Sequence, residues 1–206
     1  MMIISEKKID NFEPMVEETK KGLRTTSDIY TFMLKRRIIF CKGAININSA
    51  NSVIAQLLYL SSISDEDITM YISSGGGDVY SGLAIYDTMQ YIDADVVTIC
   101  VGHAMSMGAF LLAVGTPGKR FSLQNSQVML HQPMMNLGNT FLKESDFSIY
   151  AKSLQKTRDI LENILSKVTG QTIEKIKKDL VSDLFLTAND ALKYGLIDKI
   201  IKKKKK

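Results

Sequence analysis

The chain has 206 residues, 45% of them apolar and 23% charged, the balance of a folded domain long enough to bury one sizeable core. Its net charge of +4 is concentrated at the end: without Lys202 to Lys206, 26 basic against 22 acidic residues become one net negative charge, which excludes a basic nucleic-acid face and marks the lysine run as a solvated tail. No apolar run approaches the ~20 residues that cross a bilayer, and MMIISEKKID offers only four apolar residues before charge begins, too few for a signal-peptide core, so a protein that is neither secreted nor membrane-borne is expected.

Residues 1 to about 33 are polar, with Pro14 and Gly22 as breakers, and read as a loosely ordered segment followed by a short helix near Ser27 to Leu34. From there strands and helices alternate. Arg37 to Cys41 reads as a strand. Ser49 is read as the cap of a helix carrying Val53, Ile54, Leu57, Leu58 and Leu60. Asp67 to Ser73 predicts a strand, then comes the run Gly75-Gly76-Gly77 and a helix near Val79 to Ile92. Asp95 to Val101 is a continuous apolar strand, as in a parallel sheet covered on both faces. A helix from about Ser106 to Val114 follows, then short strands at Arg120 to Leu123 and Gln127 to Leu130. The longest helix is predicted over Glu144 to Val168, with one stripe of Phe147, Tyr150, Leu154, Leu161, Ile164 and Val168 and a stop at Thr169-Gly170. One helix is predicted after Thr172 and another from Thr187, where Thr187 and Asp190 match a capping box, to Gly195; Leu196 to Ile201 reads as a last strand. The alternation predicts an α/β domain. Cys41 and Cys100 lie in strand-like runs and read as buried, reduced thiols, without metal-ligand spacing.

Ser106 stands between the buried strand and an apolar helix, in Gly102-His-Ala-Met-Ser-Met-Gly108. A hydroxyl there faces the free amides and positive end of a helix, where the oxyanion of an acyl transfer would form. The same position suits a plain helix cap. The glycine run, between strand and helix, is either an anion cradle or a simple tight turn; it matches neither the P-loop nor the dinucleotide fingerprint. Of the two histidines, His131 closes a short strand before Pro133, where a neutral imidazole could take the serine proton or serve as a structural hydrogen-bonded side chain. His103 lies three residues before Ser106 and is the second candidate base. Asp179 and Asp183 flank Leu180-Val-Ser182, and either could orient an imidazole or be a solvated surface acid.

Taken together and in order, these stretches resemble the proteolytic subunits of the Clp proteases (ClpP). The resemblance rests on Ser81-Gly-Leu-Ala-Ile-Tyr-Asp-Thr-Met-Gln90, Thr98-Ile-Cys-Val-Gly102, Ala104-Met-Ser-Met-Gly-Ala-Phe-Leu-Leu112, Val128-Met-Leu-His-Gln-Pro133, Thr169-Gly-Gln171, Phe185-Leu-Thr-Ala188 and Tyr194-Gly-Leu-Ile-Asp198, and runs from about Pro14 to Ile200. It implies a crotonase-like α/β fold with a protruding handle helix, here about residues 144–168, in a peptidase domain of residues 27–201. Residues 1–26 form the N-terminal segment, with a propeptide and axial-pore role, and residues 202–206 the tail. It implies Ser106 as nucleophile, His131 as base and Asp183 as the aspartate of the triad, with Asp179 outside it, and the backbone N–H groups of Gly77 and Met107 as oxyanion hole. It further implies seven-membered rings stacked as a 14-subunit double ring. A Clp AAA+ ATPase unfoldase docks at clefts marked by Tyr71, Tyr91 and Phe121 and feeds in unfolded protein. The subunit itself needs no cofactor and no metal, ATP being used by the ATPase. A bacterial cytoplasm, or an organelle of bacterial descent, is the expected setting.

The chain departs from that pattern at several points. Gly75 replaces the usual proline; His103 and Met105 replace Gln and Ala; Met134 to Asn139 replaces a glycine-rich stretch; and Ser182 stands where an arginine normally pairs across the ring interface. These departures leave open a weakly active or structural ring subunit that needs a paralogous ClpP subunit. A crotonase-type acyl-CoA enzyme, sharing the fold and an oxyanion loop, is the remaining alternative.

Overall fold

From Met15 onward the expected loose segment is an antiparallel pair. In the computed structural model, which describes residues 14–20, 23–135 and 143–202, β1 (Met15–Lys20) pairs with β2 (Leu23–Asp28), Lys20 opposite Leu23. Neither strand alternates apolar with polar residues, so periodicity carries no strand signal there; the β-branched Val16, Thr25 and Thr26 supply strand propensity instead. Residues 1–13, half of the expected propeptide and pore segment, lie outside the described residues, as do 136–142 and the end of the lysine tail. Helix α1 (Ile29–Leu34) starts on Asp28, whose carboxylate accepts from the Thr31 amide at 2.9 Å.

The strand–helix alternation then appears as expected: β3 (Ile38–Ile45), α2 (Ile47–Ile63), β4 (Ile68–Gly77), α3 (Val79–Tyr91), β5 (Val96–Met105), α4 (Met107–Ala113), β6 (Arg120–Leu123) and β7 (Gln127–Leu130). Asn46, not Ser49, caps α2; Ser49 is the third helical residue and closes a reciprocal capping box with it. Both β4 and β5 run further than expected, β4 through the glycine run and β5 to the residue before Ser106. The chain continues through α5 (Glu144–Thr169), ended by Gly170 in the left-handed conformation, α6 (Ile173–Asp179), β8 (Leu184–Thr187), α7 (Ala188–Tyr194) and β9 (Lys199–Ile201). Strand β8, only four residues long, is not among the elements expected from the sequence.

The main sheet has the order β3-β4-β5-β6-β9, all parallel, in the mixed α/β architecture expected. Strand β5 forks: Thr98 to Cys100 pair with β6, whereas His103 to Met105 pair with β7, which in turn carries antiparallel β8. The fork sets the end of β5 beside the end of β7. Ile68, Met70 and Ile72 of β4 are fully buried and α4 is buried along its whole length, so the elements that carry Ser106 are anchored in the core. Cys41 and Cys100 are buried free thiols, and burial pushes Cys41 up to about 11. Arg120 ties the far side together: it bonds the Asp198 carboxylate at 2.6 and 3.0 Å and the carbonyls of Ala113 and Val168 at 3.0 and 2.9 Å. Helix α5 is thereby fixed at its C-terminal half, where Leu161 and Leu165 are buried. Phe147, Ile149 and Tyr150 of its first turns are exposed, so the predicted apolar stripe packs only over its second half.

Candidate active site

Ser106 sits where β5 turns into α4, with φ 53° and ψ −122°. It is one of two non-glycine residues with positive φ among the described residues. Such a backbone costs of order 1–3 kcal/mol and persists only where its surroundings hold it. Here the Ser106 amide donates to the Met129 carbonyl at 2.8 Å, and α4 continues straight into the core. Ser106 holds the cap position of α4, yet its side chain makes no capping hydrogen bond. The plain-cap alternative therefore falls away: the hydroxyl is not engaged by its own helix.

The glycine run is packing, not a free turn. A Cβ on Gly76, at φ 91°, would lie 2.7 Å from both the Met105 carbonyl and Ser106 Cβ, and 3.0 Å from the Met107 nitrogen. One on Gly108 would lie 2.9 Å from the Ser74 carbonyl. Buried Ser74 fixes the run: its Oγ donates to Gly43 O at 2.6 Å and accepts from the Gly76 amide at 3.0 Å. Glycine is the only residue that lets β4 lie this close to the serine turn. Of the two amides expected to meet an oxyanion, Gly77 follows Gly76 at the end of β4. Met107 is the first residue of α4, in which the Phe110 amide makes the first bond, to Ser106 O, leaving the Met107 N–H without an intrahelical acceptor.

His131 follows β7 by one residue. Because Met105 is aligned with Met129, the imidazole enters from the strand next to Ser106. Ser106 and His131 line one narrow cleft of about 30 Å³, together with Met107, Leu130, Leu161 and Glu162. His103 pairs with Gln127 within β5 and does not line it. The hydroxyl and the imidazole share the cleft without a hydrogen bond to each other.

The two candidate acids are separated clearly. Asp179, at the end of α6, accepts from Lys175 Nζ at 2.5 Å and from the Tyr194 hydroxyl at 2.9 Å; the Lys175 bond, outweighing burial, holds its carboxyl below the usual range. Asp183 precedes β8 and is exposed, with no hydrogen bond to His131. The β7–β8 ladder ends at Leu130 opposite Leu184, so His131 and Asp183 are the residues at which the two strands leave the ladder. Beyond it the pairing slips by two residues, Gln132 N donating to Leu180 O at 3.0 Å. Of the two acids, Asp183 is thus the one next to the strand end that carries His131.

Residues 20–204 match the family model described as Clp protease. The chain belongs to the Clp protease family. That family consists of serine peptidases that form rings and work with Clp ATPases, and this Clp protease chain carries Ser106, His131 and Asp183 inside the matched region. Tyr71 and Phe121 lie in one row across the sheet, Phe40–Tyr71–Ile99–Phe121, with Phe40 stacked on Tyr71 at 5.8 Å between ring centres. Tyr91, at the end of α3, is 82% exposed and joins no aromatic pair of the described residues. No helix among the described residues is long and apolar enough to cross a membrane, and no three potential metal ligands cluster there. Met134 and Met135, the described part of the stretch replacing the glycine-rich segment, are exposed. Sequence reasoning missed Glu162 in the cleft. Its only signal was Arg158 one turn earlier, beside the buried Leu161 position, which ordinarily marks a surface ion pair.

Proposed function

We propose that the chain is the proteolytic subunit of an ATP-dependent, compartmentalised serine endopeptidase, cutting unfolded protein delivered by a Clp AAA+ unfoldase and short peptides on its own. The observation that carries this reading is Ser106, on a strained turn with a hydroxyl its helix does not use, in one cleft with His131. In the proposed reaction Ser106 Oγ attacks the scissile carbonyl carbon while His131 takes its proton. The carbonyl oxygen becomes an oxyanion held by the amides of Gly77 and Met107. The C–N bond then breaks as His131 returns the proton to the leaving amine. Water, deprotonated by His131, attacks the acyl-serine ester, and His131 passes that proton to Ser106 Oγ as the acyl C–O bond breaks. Asp183 fixes the imidazole tautomer and stabilises the imidazolium.

The proposed assembly is two seven-membered rings stacked through α5, with Tyr71, Tyr91 and Phe121 marking the clefts that receive the ATPase. Enclosure turns specificity into access, which suits a peptidase in a bacterial cytoplasm or an organelle of bacterial descent. The exposure of Asp183, beside Ser182 in place of an arginine, favours one refinement: the single chain is weakly active, and ring stacking or a paralogous subunit orders the loop that closes the triad. The test is turnover of a fluorogenic peptide by the assembled protein and its Ser106→Ala variant. Turnover dependent on Ser106 is expected; equal turnover by a clean Ser106→Ala preparation contradicts the mechanism.

A further inference from the structure

The buried face of α5 carries Leu161 and Leu165 into the core, and Glu162 goes with them. Its side chain is 1% exposed and lines the cleft that holds Ser106 and His131. One carboxylate oxygen accepts from Arg158 Nε at 2.5 Å. The other, Oε2, is buried and has no hydrogen-bond partner among the described residues. Apart from Ser106 and His131, the cleft is otherwise apolar, with Met107, Phe110 and Leu161 among its walls. A buried carboxylate oxygen without a donor is costly until one reaches it. A buried acceptor in need of a donor therefore lies in the wall of the cleft that holds the Ser106 hydroxyl.

Arg158 determines the kind of donor. It already neutralises Glu162, and it is held in place by bonds to Gln132 Oε1 at 3.1 Å and Lys177 O at 3.4 Å. A substrate cation would bring an unbalanced charge into an apolar cleft next to a guanidinium. A neutral donor on an apolar stem satisfies Oε2 without that penalty, and the narrowness of the cleft favours an unbranched stem. Resting on the peptidase reading, we propose that this cleft receives the side chain of the residue preceding the scissile bond. Glu162 selects there a neutral hydrogen-bond donor at the tip, glutamine above methionine, its apolar counterpart of similar length, and above lysine.

The test uses the full chain and three fluorogenic peptides that differ only in that residue: glutamine, methionine or lysine. The wild type is expected to show kcat/KM at least about tenfold higher for glutamine than for methionine, as a hydrogen bond to a charged acceptor allows, with lysine below glutamine. In Glu162→Met the glutamine-to-methionine ratio falls about tenfold or more. That ratio is read on one preparation, so it is independent of the fraction folded. Should Glu162→Met not fold, the wild-type order still decides. Methionine or lysine equal to or above glutamine overturns the inference, as does a ratio unchanged by Glu162→Met. Cleavage that depends on Ser106 while ignoring Glu162 overturns this inference alone; cleavage of no peptide, or cleavage that survives Ser106→Ala, overturns the peptidase reading beneath it.

Discussion

Replacing Gly76 by alanine tests whether the glycine run builds the site. The added methyl would sit 2.7 Å from the Met105 carbonyl and Ser106 Cβ, atoms of the strand end and the serine turn that cannot rotate aside. A non-glycine residue at a φ of 91° adds backbone strain of about 1–3 kcal/mol, and forced overlap in a packed region about 1–3 more, so the loss should fall at about 2–6 kcal/mol. A domain of ordinary stability, about 5–15 kcal/mol, survives most of that range folded. Relief comes by pushing Ser106 away from β4, and displacement of that kind costs up to about 10²-fold in rate. Gly75 is the internal control: it is exposed, nothing lies within 4 Å of an added Cβ, and it pairs in neither neighbouring ladder. Gly75→Ala should change stability by no more than about 0.5 kcal/mol. Denaturant unfolding and the rate of serine acylation by an activated ester measure both variants. Equal behaviour of the two, or a Gly76→Ala protein with wild-type stability and acylation, refutes the packing argument.

Three further outcomes are expected. Asp183→Asn should lower kcat on the order of 10⁴-fold in the assembled enzyme, by precedent for a triad aspartate, whereas Asp179→Asn, whose carboxylate serves Lys175 and Tyr194, should cost stability more than turnover; a reversed ranking in peptide assays contradicts the assignment of Asp183. Arg120→Met should destabilise by about 3 kcal/mol, the low end for breaking a buried pair because Asp198 stays 22% exposed. Burial alone would raise Asp198, but the Arg120 hydrogen bonds hold its folded pKa below the unfolded value, so its contribution is present above the unfolded carboxylate pKa of about 4 and lost as pH falls through the folded pKa. Denaturant midpoints between neutral and acid pH should therefore fall less in Arg120→Met than in the wild type. Finally, Ser182→Arg should shift sedimenting species from single towards stacked rings, since serine lacks the guanidinium fork that pairs across an interface; a wild-type chain that alone forms a fully active, salt-resistant double ring contradicts this.

The α/β order was legible because Val96 to Val101 is a nearly continuous apolar strand and Ile68, Met70 and Ile72 alternate along another, both flanked by helical stripes. The β1–β2 pair was not, because its strands carry Glu, Thr and Lys without alternation and their signal is mutual pairing. β8 was missed for a related reason: four residues, Leu184–Thr187, have meaning only opposite β7. At the site, Ser106 and His131 stood out from residue type and position, and the resemblance named both; the positive φ of Ser106 and its uncapped hydroxyl are features that local sequence does not carry. Local residue type did not separate Asp179 from Asp183; the resemblance did, and the structure adds that Asp179 is occupied by Lys175 and Tyr194 while Asp183 adjoins the end of the β7–β8 ladder, features that local sequence does not encode. Glu162 was hidden because a charged residue on a long polar helix looks like surface until the helix is docked.

The central claim is that Ser106 is a nucleophile activated by His131. The direct measurement is labelling of the assembled protein with a fluorophosphonate, followed by peptide mapping by mass spectrometry. Covalent phosphonylation of Ser106 alone is predicted in the wild type, lost in Ser106→Ala and slowed by orders of magnitude in His131→Ala. An unmodified Ser106 in correctly assembled protein, or modification at another residue with Ser106 untouched, would contradict it.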